Sequence, residues 1–308
     1  MTTTKAQDSD RLTRFLLPRA GVRGVRVHLD DTWRHIRERD TSPDSNAIPP
    51  AAMELLGEAA VAAALFTGHA KVDGRLSVQL RSHGALRTLF TECTAAGTLR
   101  GIAQVQDGAT VSRDLRALGP DAVLAITIEN PTVEGRDPVR YQGMVALHAD
   151  SLGEAFEDYF RQSEQLPTRL LLAADGRHAA GLMLQKLPED SGDDDGWQRA
   201  NALFDTLSPQ ELLDWPCDLL LQRLFHEDAV TVLGERPLAF ACSCSRERVA
   251  AMLESLGQAE ARAAVAAGPG KAEVRCEFCG RAYHFEVTEI NELFTPGRRP
   301  MVAPERLQ

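Results

Sequence analysis

Four cysteines confined to residues 242–279 constrain this chain more than any other feature. They form two short pairs, Cys242-Ser-Cys244 and Cys276-Glu-Phe-Cys279, separated by 31 residues. Each pair brings two sulfurs within reach of one ion, and together they supply the four soft ligands of a tetrahedral zinc site. Gly280 follows the second pair directly and suits the tight turn of a metal-binding knuckle. Four thiolates leave zinc no open coordination position, which argues against catalytic zinc and leaves a purely structural site open. A zinc deaminase needs H-x-E upstream of P-C-x-x-C. Here His284-Phe-Glu286 lies downstream and Arg275 precedes Cys276, so that match is accidental. With four sulfurs at hand, His284 reads as a strand side chain and not as a ligand.

The rest of the chain narrows the chemistry. Its 308 residues are enough for two domains, and 44% hydrophobic with 25% charged residues is ordinary globular composition. The net charge of −10 suits poorly the counterion release that drives nucleic-acid binding. From residue 236 to 300 nine basic residues meet eight acidic ones, so the cysteine-rich segment is no basic surface. No apolar run approaches the ~20 residues of a membrane span, and the polar start MTTTKAQDSD lacks the apolar core of a secretory signal. The chain therefore reads as cytoplasmic, a compartment where clustered cysteines mean metal or redox chemistry. Cys93, in a strand, reads as a small core hydrophobe, and Cys217 as a buried thiol. Gly268-Pro-Gly270-Lys271 has neither the glycines of a dinucleotide loop nor the spacing of a phosphate loop.

Periodicity outlines the fold. Val25 and Val27 alternate with Arg26 and His28, and Leu76–Leu80, Leu86–Cys93, Gly101–Val105, Val123–Ile128 and Tyr141–Leu147 read as further strands. Short turns between them imply antiparallel pairing. The Ala-rich stretch Pro50–Phe66 predicts a helix, Glu154–Glu164 a second, and Thr168–Ala174 with Ala179–Leu187 a hairpin around Asp175-Gly176. At Pro188 the character changes: PEDSGDDDG, residues 188–196, is acidic and reads as a linker. Trp197–Phe225 is strongly apolar but interrupted by Pro209 and Pro216, hence two or three short helices, one capped by Ser208 with Pro209 at its first position.

Between the cysteine pairs, Ser245 caps a helix with an apolar face of Val249, Met252, Leu253 and Leu256, which ends at Gly257. A second helical stretch runs to Ala267 and breaks at Gly268–Gly270. Val274–Cys276 and Tyr283–Val287 make a hairpin across the second knuckle, and Thr288 caps a closing helix through Phe294. The predicted architecture is α+β. It consists of a mostly antiparallel N-terminal domain over residues 1–187, an acidic then apolar helical linker over 188–234, and a small zinc domain over 235–308.

These features in this order resemble the redox-regulated heat-shock chaperones of the heat-shock protein 33 family. The carriers are the C-x-C and C-x-x-C pairs and their spacer, the run Cys242-Ser-Cys-Ser-Arg-Glu-Arg-Val249, and three upstream stretches: Arg140–Leu147, Tyr159–Thr168 and Gly181–Pro188. Arg23–Val27 belongs with them, so the resemblance spans nearly the whole chain. The acid run Asp193–Asp195 and the thiols of Cys93 and Cys217 depart from it. The resemblance implies one zinc ion on Cys242, Cys244, Cys276 and Cys279 in an inactive reduced state. Oxidation would then pair Cys242 with Cys244 and Cys276 with Cys279, expel zinc, and give an ATP-independent holdase, commonly dimeric, with no catalytic residue. Unfolded proteins are the implied partners. The apolar linker residues Trp197, Leu203, Phe204, Leu207, Leu212, Leu213 and Trp215 are the candidate client surface. A static zinc ribbon that binds a protein or nucleic acid is the alternative, and a thiol oxidoreductase on Cys276 and Cys279 a weaker one, because no thioredoxin-like βαβ pattern surrounds them.

Overall fold

The computed structural model describes residues 9–38, 48–131, 139–188, 192–268 and 270–295. Parts of the sequence reading fall outside them: the polar start up to residue 8, residues 189–191 of the acidic linker, and residue 269 of the Gly268–Gly270 break. The chain divides into two compact units, one ending at Ala241 and one starting at Cys242.

The first unit opens with the hairpin β1 (Arg11–Leu17) and β2 (Val22–Leu29), the short helix α1 (Asp31–Arg37) and the long helix α2 (Pro50–His69). Strands β3 (Arg75–Arg81), β4 (Leu86–Thr94), β5 (Thr98–Val105), β6 (Val123–Asn130) and β7 (Val139–Val145) follow. Next come α3 (Leu152–Tyr159), β8 (Thr168–Ala174), β9 (Ala179–Lys186), α4 (Gly196–Phe204), α5 (Pro209–Asp214), α6 (Cys217–Phe225), β10 (Thr231–Pro237) and β11 (Ala239–Phe240). Two sheets result, ordered β10-β1-β2-β9-β8 and β11-β5-β4-β3-β6-β7. Among the described residues all pairings are antiparallel except the short β11–β5 ladder, as the short turns imply.

Helix α2 lies between the sheets and forms with them the main core. Its Ala59–Ala64 run removes bulk on every side, and Gly57 and Gly181 let it approach Ala174 and β9 closely. By length and composition α2 is also long and apolar enough to cross a membrane, contrary to the reading of the sequence. Burial in a protein core on all faces, not lipid, accounts for its apolarity, since 78% of its most apolar window is covered.

Along β1, β2, β8 and β9 side chains alternate between two cores. Leu12, Val25, Val27, Leu170 and Met183 face α2. Phe15, Leu17, Val22, Leu182 and Leu184 face a second core, which α4, α5 and α6 cover from the other side. Gly24 is obligatory on that face: the ring of Phe15 occupies the space a Cβ would need. Three short helices form here, as the prolines predict, and Ser208 caps α5 in a reciprocal capping box with Glu211.

The predicted boundaries at 187/188 and 234/235 differ from this organisation. The apolar faces of α4–α6 are buried against the five-stranded sheet, and β10 pairs with β1 over Arg11–Leu16, so the first unit continues to Ala241. The predicted helix over 154–164 also changes character: α3 ends at Tyr159, and Phe160–Glu164 form a wide turn that closes at Gln165 with φ 56°.

The second unit holds α7 (Arg246–Leu256), α8 (Gln258–Ala267), the hairpin β12 (Lys271–Arg275) and β13 (Ala282–Glu286), and α9 (Val287–Leu293). Ser245 caps α7 by accepting from the Arg248 N–H, as predicted. The cap of α9 is Glu286 and not Thr288: Glu286 and Glu289 form a reciprocal capping box, which starts the helix at Val287. The core is small, centred on Val249, Leu253, Val265, Phe285, Ile290 and Leu293.

Candidate metal centre

The two cysteine pairs meet at one end of this small core. Cys242 and Cys244 follow β11 and precede the Ser245 cap, which fixes the first pair against the start of α7. Cys276 and Cys279 occupy the turn between β12 and β13. That turn is a knuckle: the Gly280 N–H donates to the Cys276 carbonyl at 2.8 Å, and the Cys276 N–H donates to the Arg281 carbonyl at 3.0 Å. Gly280 has φ 69°, a left-handed conformation that costs glycine nothing.

All four sulfurs lie within 4.8 Å of one another. Cys242 Sγ is 3.6 Å from Cys276 Sγ, and Cys244 Sγ is 3.3 Å from Cys279 Sγ. A tetrahedral ion with Zn–S bonds of ~2.3 Å needs sulfur separations of about 3.8 Å. The cluster therefore has the right size for one ion, and four soft sulfurs are the donor set that zinc takes. Each cysteine is half-buried, and Cys244 and Cys276 pack against the apolar core.

The thiols share protons across the cluster. A hydrogen bond from Cys242 holds the Cys276 thiol down at about 4, helped by the backbone N–H groups of Cys279 and Phe278, while burial opposes. Cys242 is pushed well up by the same bond, then by burial. Burial raises Cys279 to about 11. A divalent cation would take the place of these protons, because only thiolates ligate it.

One contact escaped the reading of the sequence. The Tyr283 hydroxyl donates to Cys244 Sγ at 3.1 Å, and that bond raises the phenol to about 12. A tyrosine at an inward position of β13 needs a partner for its polar tip, which is the signal the sequence carried. His284 lies on the same strand, half-exposed, with Nδ1 3.6 Å from the Glu273 carboxylate, and it is not one of the sulfur group. Cys93 and Cys217 are buried in the first unit, as predicted. Burial pushes the Cys93 thiol up to about 11.

The candidate client residues are covered. Phe204, Leu207, Leu212 and Leu213 are buried in the second core of the first unit, and Trp197, Leu203 and Trp215 pack half-buried at its margin.

The family model described as Hsp33 protein matches residues 10–286. A 33 kDa chaperonin of Ectopseudomonas mendocina is 42% identical over 294 residues, covering 93% of this chain and 95% of the relative. The 33 kDa chaperonin of Azotobacter vinelandii is 41% identical over 300 residues, with coverages of 94% and 96%. The crystal structure of the Thermotoga maritima 33 kDa chaperonin (Hsp33) superposes with a TM-score of 0.75 at 21% identity, covering 92% of this chain and 97% of that one. At that identity the likeness establishes a shared fold.

Proposed function

The chain belongs to the Hsp33 family of chaperones, and from that premise we propose that it is a redox-regulated, ATP-independent holdase of the bacterial cytoplasm, not an enzyme. In the reduced protein Cys242, Cys244, Cys276 and Cys279 hold one zinc ion and the chaperone is inactive. Oxidation pairs Cys242 with Cys244 and Cys276 with Cys279. The ion leaves, and the second unit unfolds.

The observation that carries this reading is the convergence of four sulfurs on a unit with so small a core. Domains of this size usually need a staple. Structural zinc supplies roughly 10–16 kcal/mol of binding free energy, against total domain stabilities of about 5–15 kcal/mol. A disulfide or sulfenic acid no longer ligates the metal. Losing the ion therefore removes a contribution as large as the unit's whole margin.

The second half of the switch is the helical cover. Helices α4–α6 have 9, 6 and 9 residues, too short to persist without packing. Cys242 directly follows the segment that leads from them, so unfolding that spreads back along the chain reaches β10 and then α6. Lifting the cover exposes Phe15, Leu17, Val22, Leu182 and Leu184 together with the helices' own Phe204, Leu207, Leu212 and Leu213. Contiguous apolar surface of that kind captures unfolded chains. The division into a core to 187, a releasable segment over 188–234 and a switch from 235 thus has functional sense, and the activated form is a homodimer with no nucleic-acid partner. Cys93 stays out of the exchange, being a thiol buried in the main core.

The test treats the zinc-loaded protein with peroxide at mildly raised temperature and follows zinc release beside the aggregation of an unfolding client. The proposal predicts zinc release, suppression of aggregation, and reversal of both by a thiol reductant. A protein that releases zinc yet never protects the client is a static zinc module, and turnover of a dithiol substrate would mark an oxidoreductase.

A further inference from the structure

The acid run that reads as a flexible linker is held by one side chain. Arg199, in the first turn of α4, donates from Nη1 to Asp195 at 2.9 Å, from Nη2 to Asp193 at 3.2 Å, and from Nη2 and Nε to Asp228 Oδ1 at 2.5 and 3.1 Å. Asp193 and Asp195 are exposed, but Asp228 is 0% exposed and Arg199 only 24%. Asp228 Oδ2 is buried with no hydrogen-bond partner among the described residues. Asp228 lies in the turn that follows α6, so Arg199 joins the two ends of the segment that carries α4, α5 and α6.

The β1–β2 turn holds the same place. The Asp193 N–H donates to the Arg19 carbonyl at 2.6 Å, and the Arg19 guanidinium donates to the Glu227 carbonyl at 3.1 Å. Gly196 sits against Ala20 so closely that a Cβ would meet its backbone. Both ends of the cover are therefore fastened at one end of the five-stranded sheet, and the central bond of the knot is an ion pair whose acid is fully buried and whose guanidinium is 24% exposed. Such a pair holds firmly while intact and becomes strongly unfavourable when one member is lost, because the other is left as an uncompensated buried charge.

We propose that Arg199 is the positioning residue that sets the point at which the helical cover lifts from the five-stranded sheet. Its three carboxylates hold the cover closed while the second unit is folded. Once the segment after Asp228 is pulled loose, the Arg199–Asp228 pair is the last polar contact between its two ends to break. The role rests on the switch reading above, but its structural part is measurable without any client.

The experiment compares amide hydrogen exchange in the full-length, reduced, zinc-loaded protein and its R199Q variant. The expected result is exchange at least tenfold faster across residues 196–225, with unchanged protection in α2 and in residues 246–293 and unchanged zinc content. Peroxide-triggered client protection then sets in at a lower temperature than in the unaltered protein. Exchange in 196–225 within twofold of the unaltered protein overturns the proposal. So does an acceleration spread equally over α2 and the second unit, which would mark general destabilisation. Should R199Q fail to fold, the D193N/D195N double variant carries the test, because it removes only exposed partners. About threefold faster exchange across 196–204 supports the fastener, and no change refutes it. If exchange responds as expected while no oxidised form protects a client, the fastener stands and the holdase reading falls.

Discussion

The Tyr283 hydroxyl lies 3.1 Å from Cys244 Sγ and donates to it, so it fixes the direction of that sulfur. Partners of this kind, one bond beyond the ligands, commonly change metal affinity 10–100-fold. Y283F keeps the ring that packs with Phe285 in the small core and removes only the donor. The expected outcome is zinc affinity about tenfold weaker in a competition titration against a chromophoric chelator, with the fold of the loaded protein unchanged; equal affinity would show that the hydroxyl plays no part in holding the sulfur. At this scale the sequence was legible where chemistry alone dictates spacing. The four cysteines of the C-x-C and C-x-x-C pairs do converge, and His284 lies outside their group. The donor on Cys244 was not legible, since the strand register of β12 and β13 decides which side chain reaches that sulfur.

Helix α2 shows how an element can hide a cost. Its Ala-rich face fits between two sheets, yet Glu58 is buried on it, answered by Arg113, which also pairs with Glu54. Burial pushes the Glu58 carboxyl up to about 6 from an ordinary 4.5, and Arg113 only partly offsets the shift. A carboxyl raised in the folded state contributes stability that is fully present below about pH 4.5 and is lost as pH rises through about 6. The shift corresponds to about 2 kcal/mol. Urea unfolding of the unaltered protein and E58Q between pH 4 and 7.5 should therefore diverge, the unaltered protein losing up to about 2 kcal/mol relative to the variant on the way up; parallel curves would contradict the burial account. Elements built on local signals were readable from the sequence, among them α2, the Asp175–Gly176 hairpin, and the caps at Ser208 and Ser245. Others depend on distant partners. The N-terminus of α1 is satisfied by the Asp10 carboxylate, which accepts from the N–H groups of Asp30, Asp31 and Thr32, and seven residues with a non-local cap leave no periodic trace. The polar edge strand β10 is a strand because β1 is beside it.

In the whole molecule, composition suggested a loose join where packing made a fastened one. The acidic stretch reads as a linker because its side chains bury little, but Arg199 gathers Asp193, Asp195 and Asp228, and the helices after it close the second core. The break between compact units consequently falls at Cys242, the first of the four clustered sulfurs. The proposed metal site thus begins where the packing of the first unit ends, and a unit with ten buried apolar residues among those described would depend on its four sulfurs. The most direct measurement is amide hydrogen exchange along the chain after zinc is removed by a chelator under reducing conditions, with no oxidant present. The account predicts that residues 246–293 lose protection almost completely and α4–α6 lose part of theirs, while α2 and the six-stranded sheet remain protected. Unchanged protection in residues 246–293 after complete zinc loss would contradict it.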